Sequence, residues 1–411
     1  GAGAGRLAFH VVRQLELASL PPAVAVRYVM TDFTESTVAA WRAHPQLAAW
    51  LDAGRLDLAR FDAEHDAAIA LERCGATLAP GALRNPLIVI ANYVFDSLPL
   101  DGFSVVGGRL HEWCVRLCST RPDTDLDDPE LLGRTRLAWD ARAVEPTGYY
   151  GDAALDRILD EHRALDATAF TFPSAALGCL SRLSDIAGGR LLVLSADKGD
   201  VDEDALRGQA GPNLTLHGSF SIAVNYHAIA RFVQLRGGEA LLPAERPRHI
   251  ASCAFLLGTP PGGAGETRHA YASELDAVRA DHLLALTRGA ETAAPTLSLD
   301  VWIAHLAFHV CDPTAVAEAL PFLVPLVGGA SAGEREALLR VLQRCWDSYL
   351  HIGEPHDLGL ALGRLAAAMA AWPEAIRFFE GSLRWHGLTD VTLTELARCH
   401  DQLDRVTPEL A

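Results

Sequence analysis

Three glycines at alternating positions open the sequence GAGAGRLAFHVVRQL and lead into residues with helical apolar spacing. Gly1, Gly3 and Gly5 permit backbone conformations and a close ligand approach that side chains would prevent. A glycine turn before a helix is a common binding place for nucleotide-type ligands. The spacing differs from GxGxxG because Arg6 stands where the last glycine would be, and no Walker lysine follows. Alone, the turn is a weak signal.

Two aspartates close the next predicted strands. Asp32 ends the apolar run AVAVRYVMTD, where a carboxylate can accept hydrogen bonds from both hydroxyls of a ribose. Asp62 ends LDLARFD, where it is suited to the exocyclic amine of an adenine, and Phe33 and Phe61 are available to pack on the base. Each acid alone is typical of a solvated loop. The turn and both acids in this order favour a cofactor that contains a nucleoside.

Helical and strand-like segments alternate over residues 1–257 and predict an α/β domain with a doubly wound parallel sheet. ALERCG predicts a short helix, and NPLIVIANYVFDSLP predicts a buried strand. Gly107 and Gly108 predict a tight hairpin appended to that sheet, and the polar residues 119–148 predict a loop that covers it. Because a glycine turn of this kind follows a strand, we expect a first strand upstream of Gly1.

The turn-forming residues 258–268 predict a linker, and residues 269–411 are helical throughout. Leu362, Gly363, Ala375 and Phe379 fall at the spacing of a tetratricopeptide repeat (TPR), in which small residues let two helices approach closely. Only one repeat matches well. We expect an all-α, TPR-like domain that either presents a concave protein-binding surface or stabilises the core or a homodimer.

Half of the 411 residues are hydrophobic, which is enough for a sizeable core. The sequence lacks a long apolar segment or signal peptide, so we expect a cytoplasmic protein that does not enter membranes. A formal charge of −17 disfavours nucleic acid and favours a cationic peptide or protein partner, although acidic surfaces also simply maintain solubility. The eight cysteines lack metal-ligand spacing, which predicts reduced core thiols and no metal site.

The glycine turn followed by Asp32 and Asp62 resembles the S-adenosylmethionine-dependent methyltransferases. The segment ANYVFDSLPLDGFSVVGGRLHEWCVRL is similar to the "NEFFDALP" segment and hairpin of the MidA-like methyltransferases, the family of the mitochondrial complex I assembly arginine methyltransferase. GGRLLVLSADKG and LTLHGSF resemble that family's "DYG" and "LTAHVDF" segments. The resemblance covers most of residues 1–257 and implies a Rossmann-like class I fold with S-adenosylmethionine as cofactor.

The resemblance also implies site residues. Those that match the family's motifs are Gly1, Gly3, Gly5, Asp32, Asn92, Asp96, Pro99, Asp197 and His217. Three positions depart from the motifs: Tyr93 replaces a glutamate, Lys198 a tyrosine and Ser219 an aspartate. The missing glutamate is the group that would orient a guanidinium, so this departure disfavours arginine, and we expect an acceptor that is arginine or another nitrogen.

Methyl transfer is an in-line displacement that depends mainly on alignment of the acceptor, with a carboxylate to hold a cationic acceptor and take its proton. Asp96 is the first candidate for this role, against a helix N-cap, and Asp197 is expected to contact substrate. His217 is a base or substrate contact, or a structural histidine. Asn92 is expected to hold the amino acid part of the cofactor or, alternatively, to contact an acceptor amine. Tyr93 lines the acceptor pocket or packs.

These residues predict a methyltransferase that acts on a protein or peptide side chain recruited by the helical domain. One alternative is a non-catalytic assembly or scaffold protein that binds S-adenosylmethionine. Another is a methyltransferase that acts on a small molecule.

Overall fold

A computed structural model describes the chain except residues 19, 22–23, 123–124, 126, 212–213, 217–219, 261 and 407–411. Its contacts divide the chain into two compact units. The first unit, Gly1–Gly3 with Pro21–His282, is mixed α/β, and the second, Ala4–Leu20 with Leu283–Ala411, is helical. The domain boundary predicted at residue 257 and the linker predicted over 258–268 stay predictions.

The strands all belong to the first unit. They are β1 (Tyr28–Asp32), β2 (Leu56–Arg60), β3 (Ile69–Ala70), β4 (Thr77–Leu78), β5 (Leu87–Asn92), β6 (Asp101–Val106), β7 (Arg109–Ser119), β8 (Thr135–Ala143), β9 (Thr168–Phe172), β10 (Leu191–Asp197), β11 (Gly199–Asp200), β12 (Leu214–Leu216), β13 (Phe220–Ile222), β14 (Val224–Asn225), β15 (Glu239–Leu241) and β16 (Ala251–Leu257).

The helices occur in both units. In chain order they are α1 (Arg6–Leu17), α2 (Glu35–Ala43), α3 (Ala48–Asp52), α4 (Leu131–Arg134), α5 (Ala153–His162), α6 (Ser174–Ile186), α7 (Glu203–Leu206), α8 (Tyr226–Leu235), α9 (Gly265–Ala270), α10 (Ala280–Ala293), α11 (Leu299–Phe308), α12 (Pro313–Leu326), α13 (Ala332–Asp347), α14 (Leu358–Ala368), α15 (Trp372–His386) and α16 (Asp390–Val406). Helices α2–α9 lie in the first unit, and α1 and most of α10–α16 lie in the second.

Two sheets carry the polar side chains that the sequence singles out. In one, β1 pairs parallel with β2. In the other, β5 pairs parallel with β10, which pairs antiparallel with β16, and β15 completes the order β15-β16-β10-β5. The sheet was predicted to be parallel, and β16 departs from that prediction because it pairs antiparallel. Periodicity identifies a buried strand such as ASCAFLL but does not specify its direction.

The predicted hairpin forms at Gly107 and Gly108, whose φ angles are 57° and 71°. It belongs to a separate antiparallel sheet of order β8-β7-β6-β9. Residues 135–143, predicted as loop, form β8, and ALERCG forms no helix. There Leu71 donates its N–H to Ala76 O across 2.8 Å in a β-type turn, so pairing outweighs helical propensity.

In the helical unit, α14 and α15 pack closely around small residues. Leu362, Ala375 and Phe379 are completely buried. A Cβ added to Gly363 would overlap the ring of Phe379, and one added to Gly359 would lie 2.9 Å from Phe378 O. The absence of side chains at these glycines is therefore what permits the two helices to approach.

Five of the eight cysteines are buried, but Cys74 and Cys114 are exposed and Cys118 is half-buried. The prediction of core thiols is thus wrong for those three, because they lie in a turn and on the solvent-facing β7–β8 ribbon. None of the helices in the described part of the chain is both long enough and apolar enough to cross a bilayer.

Candidate functional site

The predicted site residues lie where parallel strands end. Asp32, Asn92 and Asp197 are the last residues of β1, β5 and β10. Because β5 runs parallel to β10, Asn92 and Asp197 lie at the same end of their sheet. Such strand ends are the usual ligand-binding edge of an open α/β sheet.

The start of the glycine turn lies between these two strand groups. The Ala2 N–H donates to Thr31 O in β1 across 2.8 Å. On the other side, a Cβ built on Gly1 would lie 3.4 Å from Cγ2 of Val94, just beyond β5. The turn therefore brings the end of β1 near the segment that follows β5.

Positive φ angles explain why glycine stands at two of the three glycine positions of the turn. Gly3 has φ of 54° and Gly5 has φ of 87°, a region that side chains disfavour. Indole Nε1–H of Trp41 donates to Gly3 O across 3.0 Å and fixes the turn to α2. Gly5 precedes α1 in the other unit. A ligand role for the glycines stays a prediction.

Asp32 is almost completely buried and presents two unlike oxygens. Its Oδ1 accepts the N–H of Thr34 at 3.0 Å and lies 2.9 Å from Thr34 Oγ1, which donates to it. Its Oδ2 has no hydrogen-bond partner among the described residues. One oxygen thus orients the side chain while the other can accept from a ligand hydroxyl.

Both carboxylate oxygens of Asp62 already contact residues of its own loop. Oδ1 accepts the Glu64 N–H at 2.9 Å, and Oδ2 lies 3.2 Å from Nδ1 of His65. The hydrogen bond from Glu64, followed by that from His65, lowers the pKa of Asp62. Phe33 is 67% exposed and can meet a base, whereas Phe61 packs in the core instead.

The structure brings Asp96 and Asp197 together. Asp197 is fully buried, and its Oδ2 accepts the backbone N–H of Asp96 at 3.2 Å while its Oδ1 accepts that of Lys198 at 3.0 Å. Burial, followed by the nearby charge of Asp96, raises the pKa of Asp197 to about 7. Asp197 is therefore a buried carboxyl group that can gain or lose a proton near neutral pH, and it lies beside Asp96.

Asp96 is not a helix cap. It lies inside the single turn Phe95–Ser97, whose N-cap is Val94 without a side-chain hydrogen bond. Its Oδ1 accepts from Ser97 Oγ at 3.0 Å. The N-cap interpretation is therefore wrong, and the carboxylate is half-exposed beside the glycine turn's neighbour Val94.

Tyr93 and Asn92 lie at the same strand end. Tyr93 is 57% exposed and has φ of 52°, an uncommon conformation for a residue with a side chain. Burial, followed by Asp197 and Asp96, raises the pKa of Tyr93. Asn92 is exposed, and its amide has no hydrogen-bond partner in the described part of the chain. Both side chains are thus accessible to a ligand, and their roles stay predictions.

His217 lies outside the described residues. The described residues contain no group of three or more histidine, cysteine or acidic side chains that could hold a metal ion. Sequence reasoning missed Trp41 and Thr34, which hold the turn and Asp32. Only the position of Trp41 on α2 and that of Thr34 directly before this helix could have indicated them.

No family model and no curated protein matches the chain. Two solved structures from Burkholderia thailandensis do, each with 14% sequence identity. One is a COG1565 superfamily member, described as a likely methyl transferase and bound to S-adenosyl-homocysteine. Its TM-score is 0.39, and the match covers 62% of this chain and 70% of that one. The other, an uncharacterised protein of the same superfamily in its native form, has a TM-score of 0.38, over 62% and 72%.

Proposed function

We propose that the chain is an S-adenosylmethionine-dependent methyltransferase with a Rossmann-like domain. The observation that carries the proposal is the arrangement at the strand ends. A glycine turn is anchored to β1, Asp32 offers an unpaired oxygen at the end of that strand, and the Asp96–Asp197 pair lies at the ends of β5 and β10. Cofactor and acceptor groups would then lie along one edge.

The residues fit the nucleoside part of the cofactor. Oδ2 of Asp32 can accept from a ribose hydroxyl, because Thr34 occupies only Oδ1. Phe33 supplies an exposed ring beside it for the base. Gly1 and Gly3 add no side chains to the turn, and Asn92 can contact the amino acid part of the cofactor. Asp62 would have to exchange its loop hydrogen bonds to meet the adenine amine.

When bound, the cofactor would supply an electrophilic methyl group on its sulfonium. Asp96 is half-exposed and would hold a cationic nitrogen acceptor and take its proton around transfer. Asp197 would fix the Asp96 backbone, and Tyr93 would form one wall of the acceptor pocket. We further propose that the acceptor is a protein or peptide side chain, arginine or another nitrogen, because a net charge of −17 favours a cationic partner.

The helical unit would recruit that substrate. The close packing of α14 against α15 around Gly359 and Gly363 supports a TPR-like hairpin, and stacked hairpins present surfaces for peptides. We further propose that the protein acts in the cytoplasm.

Calorimetry with S-adenosylhomocysteine tests the proposal directly. We expect micromolar binding to the full chain, with NAD and ATP as non-binding controls. Absence of binding would refute it. Binding without transfer of labelled methyl groups to any protein in a cell extract would instead favour one of the two alternatives, a non-catalytic cofactor-binding scaffold or a methyltransferase that acts on a small molecule.

A further inference from the structure

The β7–β8 ribbon has two unlike faces. One face is apolar: Val115 pairs with Trp139 and Leu117 with Leu137, and all four side chains are between 43% and 68% exposed. Trp113 extends this face, with its ring centroid 5.4 Å from that of Trp139. A contiguous exposed patch of this kind on a soluble protein usually marks an interaction surface.

The opposite face of the ribbon is charged. The Arg116 Nε–H donates to Asp140 Oδ2 across 3.0 Å, and Arg142 pairs with Glu112. Arg136 has no carboxylate partner in the described part of the chain, and its guanidinium donates only to the carbonyls of Gly133 and Thr135. One positive charge on this face is therefore uncompensated.

Strand β8 is also an open edge. Its sheet has the order β8-β7-β6-β9, so one side of β8 has no partner among the described strands. The strand is nine residues long, lacks proline, and is exposed over most of its length. Natural proteins usually shorten, bend or cover such an edge, because its unpaired N–H and C=O groups can pair with another chain.

The charged and apolar side chains along β8 are complementary to those of a second, antiparallel copy of the same strand. In antiparallel pairing about a two-fold axis through Ala138 and perpendicular to the sheet, each Arg136 faces Asp140 of the second copy. In the same register Leu137 faces Trp139 of the second copy, so both apolar faces remain on one side. An axis through Trp139 would instead set Arg136 against Arg142, a like-charge pair. Within β8, the register centred on Ala138 therefore sets opposite charges against each other, whereas the register centred on Trp139 sets like charges against each other.

We propose that two copies of this chain associate through β8, in an antiparallel pair centred on Ala138 that joins their β8-β7-β6-β9 sheets into one. The pair satisfies the open backbone edge, gives Arg136 a carboxylate that it would share with Arg116 of the second copy, and makes the two apolar faces continuous. The interface is isologous, as a two-fold symmetric dimer requires.

Sedimentation velocity of the full chain over a range of concentrations tests the proposal. We expect a concentration-dependent dimer. Arg136→Glu places two carboxylates opposite each other, and Asp140→Arg places two guanidiniums there, so each should raise the dimer dissociation constant at least about ten-fold. Arg109→Glu is the matched control, because Arg109 is exposed on the same sheet away from β8. It should leave the dimer intact.

Mixing the two variants gives the decisive result. An Arg136→Glu chain and an Asp140→Arg chain restore opposite charges at both contacts, so the equimolar mixture should form a heterodimer although neither variant dimerises alone. Circular dichroism checks that each variant folds. If one does not, Leu137→Lys replaces it in the sedimentation test of single variants, and the mixture is read only when both variants fold. A wild-type monomer at every concentration, a dimer that Arg136→Glu leaves intact, or a mixture that stays monomeric would overturn the proposal.

Discussion

The backbone N–H of Asp96 donates to Oδ2 of Asp197 across 3.2 Å, a bond between residues 101 positions apart in the sequence. It joins the turn after β5 to the end of β10. Asp197 is fully buried beside a second acid, and this environment raises its pKa to about 7. The same contact therefore both positions Asp96 and places a titrating proton beside it.

Stability should depend on pH through Asp197. An unfolded aspartate titrates near pH 3.9, so between about pH 4 and 7 the folded chain binds the extra proton. This contribution to stability is present at the acidic end and is lost as the pH rises through 7. We expect the free energy of unfolding of the wild type, relative to Asp197→Asn, to fall from pH 5 to 7.5 and to level off above pH 8.

Urea unfolding of both proteins at matched pH values measures this difference. Titrating groups that the two proteins share cancel in this difference. Asp197→Asn also replaces one carboxylate oxygen that accepts from Asp96 or Lys198, but the cost of that replacement is a constant offset and does not change how the difference varies with pH. A difference that is flat, or that grows with pH, would show that Asp197 ionises normally in the folded chain.

Asp96→Ala should separate binding from transfer. The backbone N–H that bonds to Asp197 remains in the variant, so the turn should keep its position. We expect affinity for S-adenosylhomocysteine within about two-fold of wild type, and methyl transfer reduced by at least about 100-fold, the scale of a lost acid–base group. Calorimetry gives the first quantity and labelled methyl incorporation into an extract of cells lacking the gene gives the second.

Ser97→Ala is the control for Asp96→Ala. It removes only the hydroxyl that donates to Asp96 Oδ1 and should leave most of the transfer activity. Equal loss of binding and transfer in Asp96→Ala, or loss of neither, would contradict the assigned role.

Local sequence patterns predicted the strands that carry the site and much less about how they pair. The apolar runs that end at Asp32, Asn92 and Asp197 form strands, as predicted. The expectation of burial on both faces is wrong for β5, because β5 is an edge strand and its Ile88 is 62% exposed. The antiparallel direction of β16 was missed, since a buried strand has the same composition in either direction.

The contacts inside the site were harder to predict. Motif resemblance selected Asp96 and Asp197 separately, but their hydrogen bond depends on the packing of distant segments. The left-handed backbone of Tyr93, with φ of 52°, has no local signal, because residues other than glycine adopt it only when the surrounding structure imposes it.

Asp32→Ala should weaken binding of S-adenosylhomocysteine by about 1–3 kcal/mol, the scale of hydrogen bonds to a charged group. Thr34→Val is the control, because it removes the hydroxyl that donates to Oδ1 but keeps the carboxylate and the Thr34 backbone N–H. Calorimetry should show nearly wild-type affinity for the control. Unchanged affinity in Asp32→Ala would mean that the ribose binds elsewhere.

Gly3→Ala tests whether the turn's conformation matters for binding. A new Cβ at Gly3 would meet no atom within 4 Å, but φ of 54° strains an alanine by about 1–2 kcal/mol. Gly75→Ala is the matched control, with φ of 69° and equally open space. Both should lower the urea midpoint similarly, while only Gly3→Ala should weaken affinity for S-adenosylhomocysteine. Equal affinities would remove the turn from the binding site.

Gly363→Ala should destabilise the helical unit by about 1–3 kcal/mol, because its Cβ would overlap the ring of Phe379 in a fully packed core. Gly289→Ala provides the opposite case. Gly289 lies inside α10, and a Cβ there would meet nothing within 4 Å, so alanine should stabilise that helix by about 0.5–1 kcal/mol. Urea midpoints followed by helical circular dichroism should therefore move in opposite directions. A neutral Gly363→Ala would mean that α14 and α15 can separate without cost, and that their close approach is not what holds this hairpin together.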